Sequence, residues 1–415
     1  MRNQPNQRNQ KVLISGASVA GTTLAYWLRQ HGFTPVVVEK ASSVRPGGYK
    51  IDIRGAALKV AERMGVLDEI RRNRTDVRDA AVVDADGTRV KSMDADSFGG
   101  RVHGDAEIMR GDLTRILYGL TADTVDYRFG DSIARLEQQT DGVRVTFESG
   151  RTETFSYVVG ADGLHSRTRA LAFGPEQSYV RDLGYHVSIF SVPNHLGLDR
   201  EELTYVGPGR TALTYTTARD TGAKAMFLWS SRRGTDAGTG ASAGAGDDRP
   251  DLAAQQRLLA EAYAGEGWEV PRFLQAMPDA PDFYFDSLSQ VHMDTWSTGR
   301  VTLVGDAAYC ASPASGQGTS LAMVGAYVLA GELAAADGAA DGLAAYERAL
   351  RPFAEANQKL GPANVKRMVM AGRVQVRISM LMLRLLQLMP GKDRMMTKVL
   401  EPIQRAANAI DLKTY

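Results

Sequence analysis

Length, composition and charge exclude several classes of protein. The chain has 415 residues, 44% hydrophobic and 23% charged, which is typical of globular proteins and not of disordered or fibrous ones. Its 49 basic and 48 acidic residues leave a net charge of +1, so the composition gives no support to a nucleic-acid partner. Cys310 is the only cysteine, and the histidines show no metal-ligand spacing. We therefore expect no metal site and a cytoplasmic protein.

The start of the chain predicts a strand, a glycine turn, a helix and a second strand over residues 11–39. The apolar strands are typical of a parallel sheet that is buried on both faces. Gly16 and Gly21 bracket the turn, and Ser18 stands where a dinucleotide fingerprint has its middle glycine. Glu39 ends the second strand, where an acid can accept a hydrogen bond from a ribose hydroxyl. The pattern predicts an adenine dinucleotide at the helix N-terminus, and the alternative is a tight turn with an incidental glutamate.

A second motif follows a strand in the middle of the chain. Residues 143–147 and 155–159 alternate apolar and polar side chains around a turn, which predicts a hairpin. The motif begins directly after them, with Asp162 and Gly163 followed by Ser166 and Arg169. Polar groups at the carboxyl edge of such a sheet are typical of ligand sites. The alternative is a helix cap, in which Asp162 or Ser166 accepts from backbone N–H groups.

The next region has a different pattern. Strands within residues 183–229 follow one another without long helices, which indicates a mainly antiparallel sheet in a second domain. Residues 234–250 are rich in Gly, Ala and Asp, and this composition predicts a mobile loop.

A third motif follows the apolar strand at residues 300–305. Gly305 and Asp306 end this strand, and Pro313 precedes the turn Gly316-Gln317-Gly318. An acid at this edge can hold the hydroxyls of a ribityl chain, and the glycines let the backbone approach a flat ring. The helix that starts near Thr319 points its positive end at that ring, which favours the negative charge of a reduced flavin. The alternative is an ordinary glycine-capped loop.

The remaining residues predict helices, of which the last, over residues 365–389, has an ambiguous pattern. Residues 374–389 are apolar but are interrupted by Arg377 and Arg384, which share one helical face with Arg373. An interfacial helix fits this pattern, but a packed amphipathic helix with a wet arginine edge is the more common case. No stretch reaches about 18 uncharged apolar residues, so we expect no stable membrane insertion.

The three motifs together resemble those of the class A FAD-dependent monooxygenases, the family of para-hydroxybenzoate hydroxylase, from residue 11 to about residue 346. Residues 47–52 are most similar to the branch of tetracycline-inactivating monooxygenases and aromatic polyketide hydroxylases. The resemblance implies FAD as cofactor and NAD(P)H as a transient co-substrate. It implies an FAD site that comprises Gly16, Ser18, Val19, Ala20, Gly21, Glu39, Lys40, Arg110, Asp162, Gly163, Gly305, Asp306, Pro313, Gly316, Gly318 and Thr319.

Three positions depart from the pattern of that family. Tyr309 stands where the family often has His, Ser320 where it often has Asn, and Gly325 where it often has Asp. These departures concern details of flavin contact.

The predicted fold class is α/β, with a discontinuous Rossmann-like FAD-binding domain, an antiparallel-sheet substrate domain and C-terminal helices. We assign residues 1–75, 101–178 and 286–350 to the FAD-binding domain, and residues 76–100 and 179–285 to the substrate domain. Residues 351–415 form a helical region that bridges the two domains. We expect a monomer or a weak homodimer.

The substrate is expected between the flavin and the antiparallel sheet. An arginine and several aromatic side chains suit a flat, oxygen-rich ligand, and the candidates are Tyr185, Arg210, Tyr215, Phe227 and Trp229. Alternating aromatic residues in a sheet are more often plain core residues, so this alternative stays open. No His, Asp or Glu is distinguished as a general base, and the catalytic residues remain unassigned.

The resemblance implies a monooxygenase that uses NAD(P)H and O2 to hydroxylate or otherwise oxygenate a hydrophobic, phenolic or polyketide-like molecule. In that family NAD(P)H reduces FAD, and the flavin hydroperoxide formed with O2 transfers its distal oxygen. A flavin dehydrogenase or reductase without oxygen transfer, and a flavin-binding protein with little turnover, are the alternatives.

Overall fold

The structure is a computed structural model that describes residues 9–44, 47–102, 104–231, 250–386 and 392–415. The predicted loop at 234–250 lies outside the described residues apart from Pro250. The strands are β1 Lys11–Ser15, β2 Thr34–Glu39, β3 Lys50–Ile53, β4 Asp79–Val83, β5 Arg89–Asp94, β6 Ala106–Met109, β7 Asp126–Phe129, β8 Ile133–Gln138, β9 Val143–Phe147, β10 Thr152–Phe155, β11 Tyr157–Gly160, β12 Val180–Val192, β13 Glu201–Gly207, β14 Arg210–Tyr215, β15 Ala223–Ser230, β16 Tyr284–Val291, β17 Ser297–Thr298 and β18 Val301–Leu303.

The helices connect and cover these strands. They are α1 Val19–Gln30, α2 Ala56–Arg63, α3 Leu67–Arg72, α4 Ala95–Gly99, α5 Arg110–Gly119, α6 Arg167–Phe173, α7 Leu252–Ala262, α8 Val270–Ala276, α9 Asp306–Tyr309, α10 Gly318–Ala335, α11 Ala339–Gln358, α12 Leu360–Met368, α13 Arg373–Leu386 and α14 Lys392–Ala407. The mixed α/β class predicted from the sequence is confirmed, with parallel and antiparallel sheets and helices at the C-terminal end.

The first sheet has the strand order β17-β18-β11-β1-β2-β7. Its pairs β18–β11, β11–β1, β1–β2 and β2–β7 are all parallel. Val12, Leu13 and Ile14 of β1 are fully buried, because helices cover one face of the sheet and the β8–β10 sheet covers the other. This burial explains why the strand reads as a continuous apolar run.

The hairpin prediction at residues 143–159 is wrong in its second strand. The partner of β9 is β10, whereas β11 leaves this sheet and pairs with β1 in the parallel sheet. The chain changes sheets at Ser156, whose N–H donates to the Lys11 carbonyl. The continuous apolar alternation of residues 155–159 did not reveal this change of partner.

The second large sheet has seven strands in the order β16-β12-β15-β14-β13-β4-β5. Most of its pairs are antiparallel, and the β13–β4 pair is parallel. Strand β16 belongs to this sheet up to Val291, beyond the boundary at residue 285 that the sequence suggested. The exact limits of the two domains therefore stay a prediction.

Helix α10 is the central helix of the larger core. It contacts α1, α2 and α11, and its apolar side chains are buried on all sides. Among the described residues it is the one helix long and apolar enough to cross a membrane, and 78% of this apolar segment is buried inside the fold. Buried core helices of globular proteins can be equally long and apolar, so length and composition are weak evidence that α10 spans a membrane.

The C-terminal helices differ from the prediction of one long helix over residues 365–389. Helix α12 ends at Met368, and the next helix, α13, begins at Arg373. Gly372 lies at this break, which suits a turn because glycine is poorly accommodated inside helices. Helix α13 contacts β5 and β13 of the seven-stranded sheet, and α14 contacts α11. Residues 387–389 of the predicted helix lie outside the described residues.

Candidate cofactor and substrate site

The three sequence motifs begin at one edge of the parallel sheet. Ser15 at the end of β1 pairs with Gly160 at the end of β11, and Gly160 pairs with Leu303 at the end of β18. Each motif is the segment that follows one of these three neighbouring strands. The carboxyl edge of an open parallel sheet is where such folds bind ligands, so the motifs form the walls of one cleft.

The motifs are in direct contact with one another. A Cβ on Gly16 would lie 2.6 Å from the carbonyl oxygen of Ala161, so the first and second turns approach more closely than any side chain allows. Gly16 also has φ +107°, a backbone conformation that favours glycine. A Cβ on Gly305 would lie 3.1 Å from the Cβ of Ala20, which joins the third turn to α1. The absence of side chains at these glycines therefore allows the three loops to pack closely against one another.

The first motif presents the N-terminus of α1. Ser18 is the N-cap residue, but its side chain accepts no hydrogen bond from the helix, which leaves the first N–H groups without an intrahelical acceptor. Its hydroxyl instead accepts from Nη2 of Arg110 at 3.0 Å. Glu39 accepts from the N–H groups of Ala17 and Ala41, both at 2.9 Å. A partly positive helix end with an arginine beside it is a suitable donor set for a pyrophosphate.

The second motif acts as a helix cap, which was the alternative for this sequence. Asp162 accepts from Thr168 N at 2.9 Å and from Thr168 Oγ1 at 2.8 Å, and it also accepts from the hydroxyl of Ser166. Ser166 in turn caps α6 by accepting from Arg169 N at 2.9 Å. The carboxylate of Asp162 thus has several partners within its own motif. A direct contact between Asp162 or Gly163 and the cofactor stays a prediction.

The third motif brings Asp306 into the cleft beside the start of α10. Its side chain is solvent-accessible, and partial desolvation by the surrounding protein raises its pKa. The charge of Arg110 acts in the opposite direction and lowers the same pKa. A Cβ on Gly318 would lie 3.9 Å from Oδ1 of Asp306, so the bare backbone of the α10 N-terminus approaches this carboxyl.

These features fit FAD. Gln317, just before α10, is fully buried, and neither Oε1 nor Nε2 of its amide has a hydrogen-bond partner in the described part of the chain. Buried polar atoms normally have partners, so the orphaned amide favours a polar group at this end of the cleft. Together with the uncapped α1 terminus at Ser18 and the carboxyl of Asp306, it suits a long cofactor with phosphates at one end and a polar flat ring at the other.

The face of the seven-stranded sheet that lies toward these loops is rich in tyrosine. Ile189 pairs with Met226 and Tyr284, and Met226 pairs with Leu213, so these side chains share one face. Tyr49, from the loop before β3, lies beside them with its ring centroid 6.0 Å from that of Tyr284. The N–H of Arg110 donates to the carbonyl of Tyr49 at 3.0 Å, so this face borders the cofactor loops.

Two of the five predicted substrate residues lie on this face. Tyr185 is half-buried and is two residues from Val187 on the same strand, so it shares the cleft-facing side. Tyr215 also lies on this side, but it is fully buried, and its hydroxyl accepts from the N–H of Lys50 at 3.2 Å. Tyr215 therefore supports the wall of the cleft, whereas Tyr185 presents accessible surface.

The other three predicted substrate residues lie on the opposite face, so the prediction needs correction there. Trp229 pairs with Arg210, and Phe227 pairs with Ala212, which places all of them on the side covered by α7 and α8. Arg210 forms an ion pair with Glu266 at 3.1 Å and lies over the ring of Tyr263. The physical reason is the two-residue period of a strand, which alternates side chains between faces. These three are core residues of the helix-covered side.

The structure reveals a chain of titratable groups that the sequence did not indicate. Asp286 accepts from the hydroxyl of Tyr284 at 3.2 Å on the cleft-facing side of β16. His165 lies between two carboxyls, with Nε2 3.2 Å from Asp286 Oδ1 and Nδ1 2.9 Å from Glu176 Oε1. Burial raises the pKa values of Tyr284 and Glu176, and the charge of Arg169 lowers that of Glu176.

Sequence reasoning missed this series of hydrogen-bonded titratable groups because its members are far apart in the sequence. His165 and Asp286 are separated by 121 residues, and no spacing rule relates them. The available signal was weak: His165 stands inside the second motif, and β16 places Tyr284 and Asp286 on one face by alternation. Neither fact singles out these residues without the sheet register.

Comparison with known proteins gives consistent matches. The FAD binding domain family matches residues 9–186 and 285–360. An uncharacterized protein of Mycobacterium tuberculosis is 45% identical over 359 residues, which cover 85% of this chain and 93% of that protein. A flavin-dependent monooxygenase of Legionella longbeachae is 39% identical over 355 residues, or 85% and 88% of the two chains. The crystal structure of the tetracycline destructase Tet(55) is 37% identical with a TM-score of 0.83 and covers 98% and 99%.

Proposed function

Because this chain belongs to the FAD-dependent monooxygenases of the FAD binding domain family, near the tetracycline-inactivating branch, we propose that it uses NAD(P)H and O2 to oxygenate a fused-ring phenolic substrate. The observation that carries this proposal is that the tyrosine-rich sheet face borders the cofactor loops, where the N–H of Arg110 donates to the carbonyl of Tyr49 at 3.0 Å. A cofactor held by those loops meets a flat, partly apolar wall with a few polar groups, which is the usual composition of a small-molecule site.

The residues of this chain have separate roles toward the cofactor. The N-terminus of α1, with Ser18 and Arg110, would bind the pyrophosphate. Asp306 would accept hydrogen bonds from the ribityl hydroxyls, and the N-terminus of α10 with Gln317 would hold the ring. When bound, FAD would supply the reducing equivalents taken from NAD(P)H and the activation of O2. The surrounding residues would orient the cofactor and exclude water from it.

Tyr284 and Asp286 supply acid–base chemistry at the substrate. The Tyr284 hydroxyl already donates to Asp286 on the cleft-facing side of β16, so it can accept a proton from a substrate hydroxyl while it passes its own proton to Asp286 Oδ2. His165 then connects Asp286 to Glu176 through its two ring nitrogens. A deprotonated phenol is more electron-rich at its ring carbons, which favours oxygen transfer to the ring. Such a positioned base contributes roughly a hundredfold or more in rate.

The wall of the cleft favours a flat substrate with several rings. Tyr49, Tyr185 and Tyr284 offer half-buried aromatic surface with hydroxyls at its edge, and Met226 adds an adaptable thioether. The structural relative Tet(55) is a tetracycline destructase, and tetracyclines are fused-ring phenols. We therefore propose fused-ring phenolic polyketides, tetracycline included, as the substrate class.

The test is a screen of fused-ring phenols, starting with tetracycline, for stimulation of NADH and NADPH oxidation by the FAD-loaded protein. We expect substrate-dependent consumption that Tyr185→Ala weakens by raising KM. The matched control is Phe227→Leu on the opposite face, which should leave KM unchanged at temperatures where it is folded. Equal effects of the two changes on KM would contradict the assigned wall.

A further inference from the structure

The outward face of α13 is apolar and exposed. Val374, Ile378, Leu381 and Met382 are 69%, 56%, 57% and 53% exposed, and their spacing places them on one side of the helix. They account for four of the seven large apolar side chains that are exposed in the described ranges. A concentration of exposed apolar side chains on one face indicates a surface that binds another protein or a membrane.

The inner face of the same helix is already used. Val376, Met380 and Leu383 lie on the opposite side and are half-buried, and the helix contacts β5 and β13 there. Helix α13 therefore has two apolar faces, of which the fold covers one. The packed amphipathic helix expected from the sequence explains only the inner face, because its outer face should then be polar.

The charged residues of α13 and of the chain on either side of it are all basic. Arg373, Arg377 and Arg384 lie along one flank of α13, and all three are exposed. No Asp or Glu occurs between Glu355 and Asp393. The same stretch contains seven basic residues, Lys359, Lys366, Arg367, Arg373, Arg377, Arg384 and Lys392. This local excess contrasts with the net charge of +1 for the whole chain.

We propose that α13 attaches the protein to the surface of an anionic lipid membrane, with the face formed by Val374, Ile378, Leu381 and Met382 in the headgroup region. An apolar helical face flanked by Arg or Lys is the pattern of helices that lie in the membrane interface. Clustered basic residues are attracted by the negative surface potential of anionic lipids. The attachment is peripheral and reversible and does not depend on the proposed oxygenation.

The charge pattern favours a lipid membrane over a second copy of the chain as the partner that binds this face. Two copies meeting through this face would bring two sets of Arg373, Arg377 and Arg384 together, with no carboxylate on α13 to pair with them. An anionic membrane supplies many negative groups at the same depth as the apolar face. The arginines and the apolar side chains can then both be satisfied by one partner.

The experiment is flotation of the FAD-loaded protein with lipid vesicles. We expect it to float with phosphatidylcholine vesicles that contain phosphatidylglycerol at low salt, and to remain unbound with phosphatidylcholine alone. Ile378→Ser combined with Leu381→Ser should lower the partition coefficient roughly tenfold or more. Arg373→Gln and Arg377→Gln should lower it by roughly fivefold for each charge removed. High salt should weaken binding through the same screening.

Two matched controls test whether the effect is local to α13. Leu252→Ser removes an apolar side chain that is 56% exposed on α7, and Arg135→Gln removes an exposed arginine on β8. Both should float as the unchanged protein does. Each variant is checked for FAD content and unfolding midpoint, and Val374→Ser with Met382→Ser replaces the first pair if that pair unfolds.

Three results would overturn the proposal. The first is no flotation with anionic vesicles at low salt, and the second is equal flotation of the unchanged protein and the doubly substituted variants. The third comes from sedimentation equilibrium: a dimer that the Ile378→Ser and Leu381→Ser changes dissociate would assign the face to a second copy of the chain.

Discussion

The hydroxyl of Tyr309 occupies the space that a side chain at Gly325 would need. A Cβ on Gly325 would overlap this hydroxyl and would lie 3.1 Å from Cζ of the same ring. Both positions depart from the pattern that the sequence resembles, and the structure places them in direct contact, so a side chain at position 325 does not fit beside Tyr309. The third departure is separate, since Ser320 Oγ accepts from the N–H of Arg54 at 3.3 Å.

Gly325→Ala is therefore expected to destabilise the protein, although alanine normally favours a helix over glycine. Overpacking in a core costs about 1–3 kcal/mol, which exceeds the gain of roughly 1 kcal/mol in helix propensity. Tyr309→Phe removes the overlapping hydroxyl and should restore most of the lost stability in the double variant. Chemical denaturation of the four proteins measures this coupling. Additive effects of the two changes would contradict the contact.

Asp306→Ala should weaken FAD binding without unfolding the chain. A carboxylate that accepts hydrogen bonds from the cofactor contributes enough that its loss lowers affinity roughly ten- to hundredfold. Fluorescence titration of the deflavinated protein with FAD measures the change. The control is Asp294→Ala, which removes an exposed carboxyl outside the cleft and should leave the affinity unchanged. Equal FAD affinity of Asp306→Ala and the unchanged protein would remove Asp306 from the site.

The raised pKa of Asp306 also predicts that its negative charge destabilises the deflavinated fold while it favours cofactor binding. Partial desolvation by the surrounding protein raises this pKa above the ordinary value of 3.8, so the fold favours the protonated carboxyl. The stabilisation by that proton is complete below pH 3.8 and is lost as the pH rises through the folded-state pKa. Asp306→Asn keeps an uncharged group there, so its deflavinated form should melt higher than the unchanged protein at pH 7.

The advantage of Asp306→Asn should shrink as the pH falls through the folded-state pKa of Asp306, because the native carboxyl then also becomes protonated. Thermal unfolding of both deflavinated proteins across this pH range measures the difference. A constant difference at all pH values would show that the charge of Asp306 is not its cause. The same variant should bind FAD less tightly, because an amide accepts from the cofactor hydroxyls less strongly than a carboxylate does.

The Asp286–His165 contact predicts a change in pH dependence. Asp286→Asn should lower turnover roughly a hundredfold while FAD content stays unchanged, because it removes the proton acceptor next to Tyr284. His165→Gln should instead shift the pH profile of turnover, since His165 is a positioning residue that acts through Asp286. His292→Gln, at a half-buried histidine whose contact is with Gln290, is the control. Identical pH profiles of the His165 and His292 variants would exclude the proposed chain.

The sequence was sufficient to predict the fold class and the cofactor because both depend on local pattern. A strand that ends at Ser15 and a helix that follows Ser18 can be recognised from neighbouring residues alone. The side of a sheet on which Phe227 or Tyr185 lies depends on register and on which layer covers that side, and composition does not encode either. The exchange of partners at Ser156 and the contact between His165 and Asp286 are likewise set by long-range packing.

The transfer of oxygen from labelled O2 tests the central claim most directly. The FAD-loaded protein is incubated with NAD(P)H, tetracycline or the best substrate from the screen, and 18O2, and the product is analysed by mass spectrometry. The account predicts a product that carries one oxygen atom from 18O2 and is formed only when flavin and NAD(P)H are present. A product whose added oxygen comes from water, or oxidation of the substrate with no oxygen added, would contradict it.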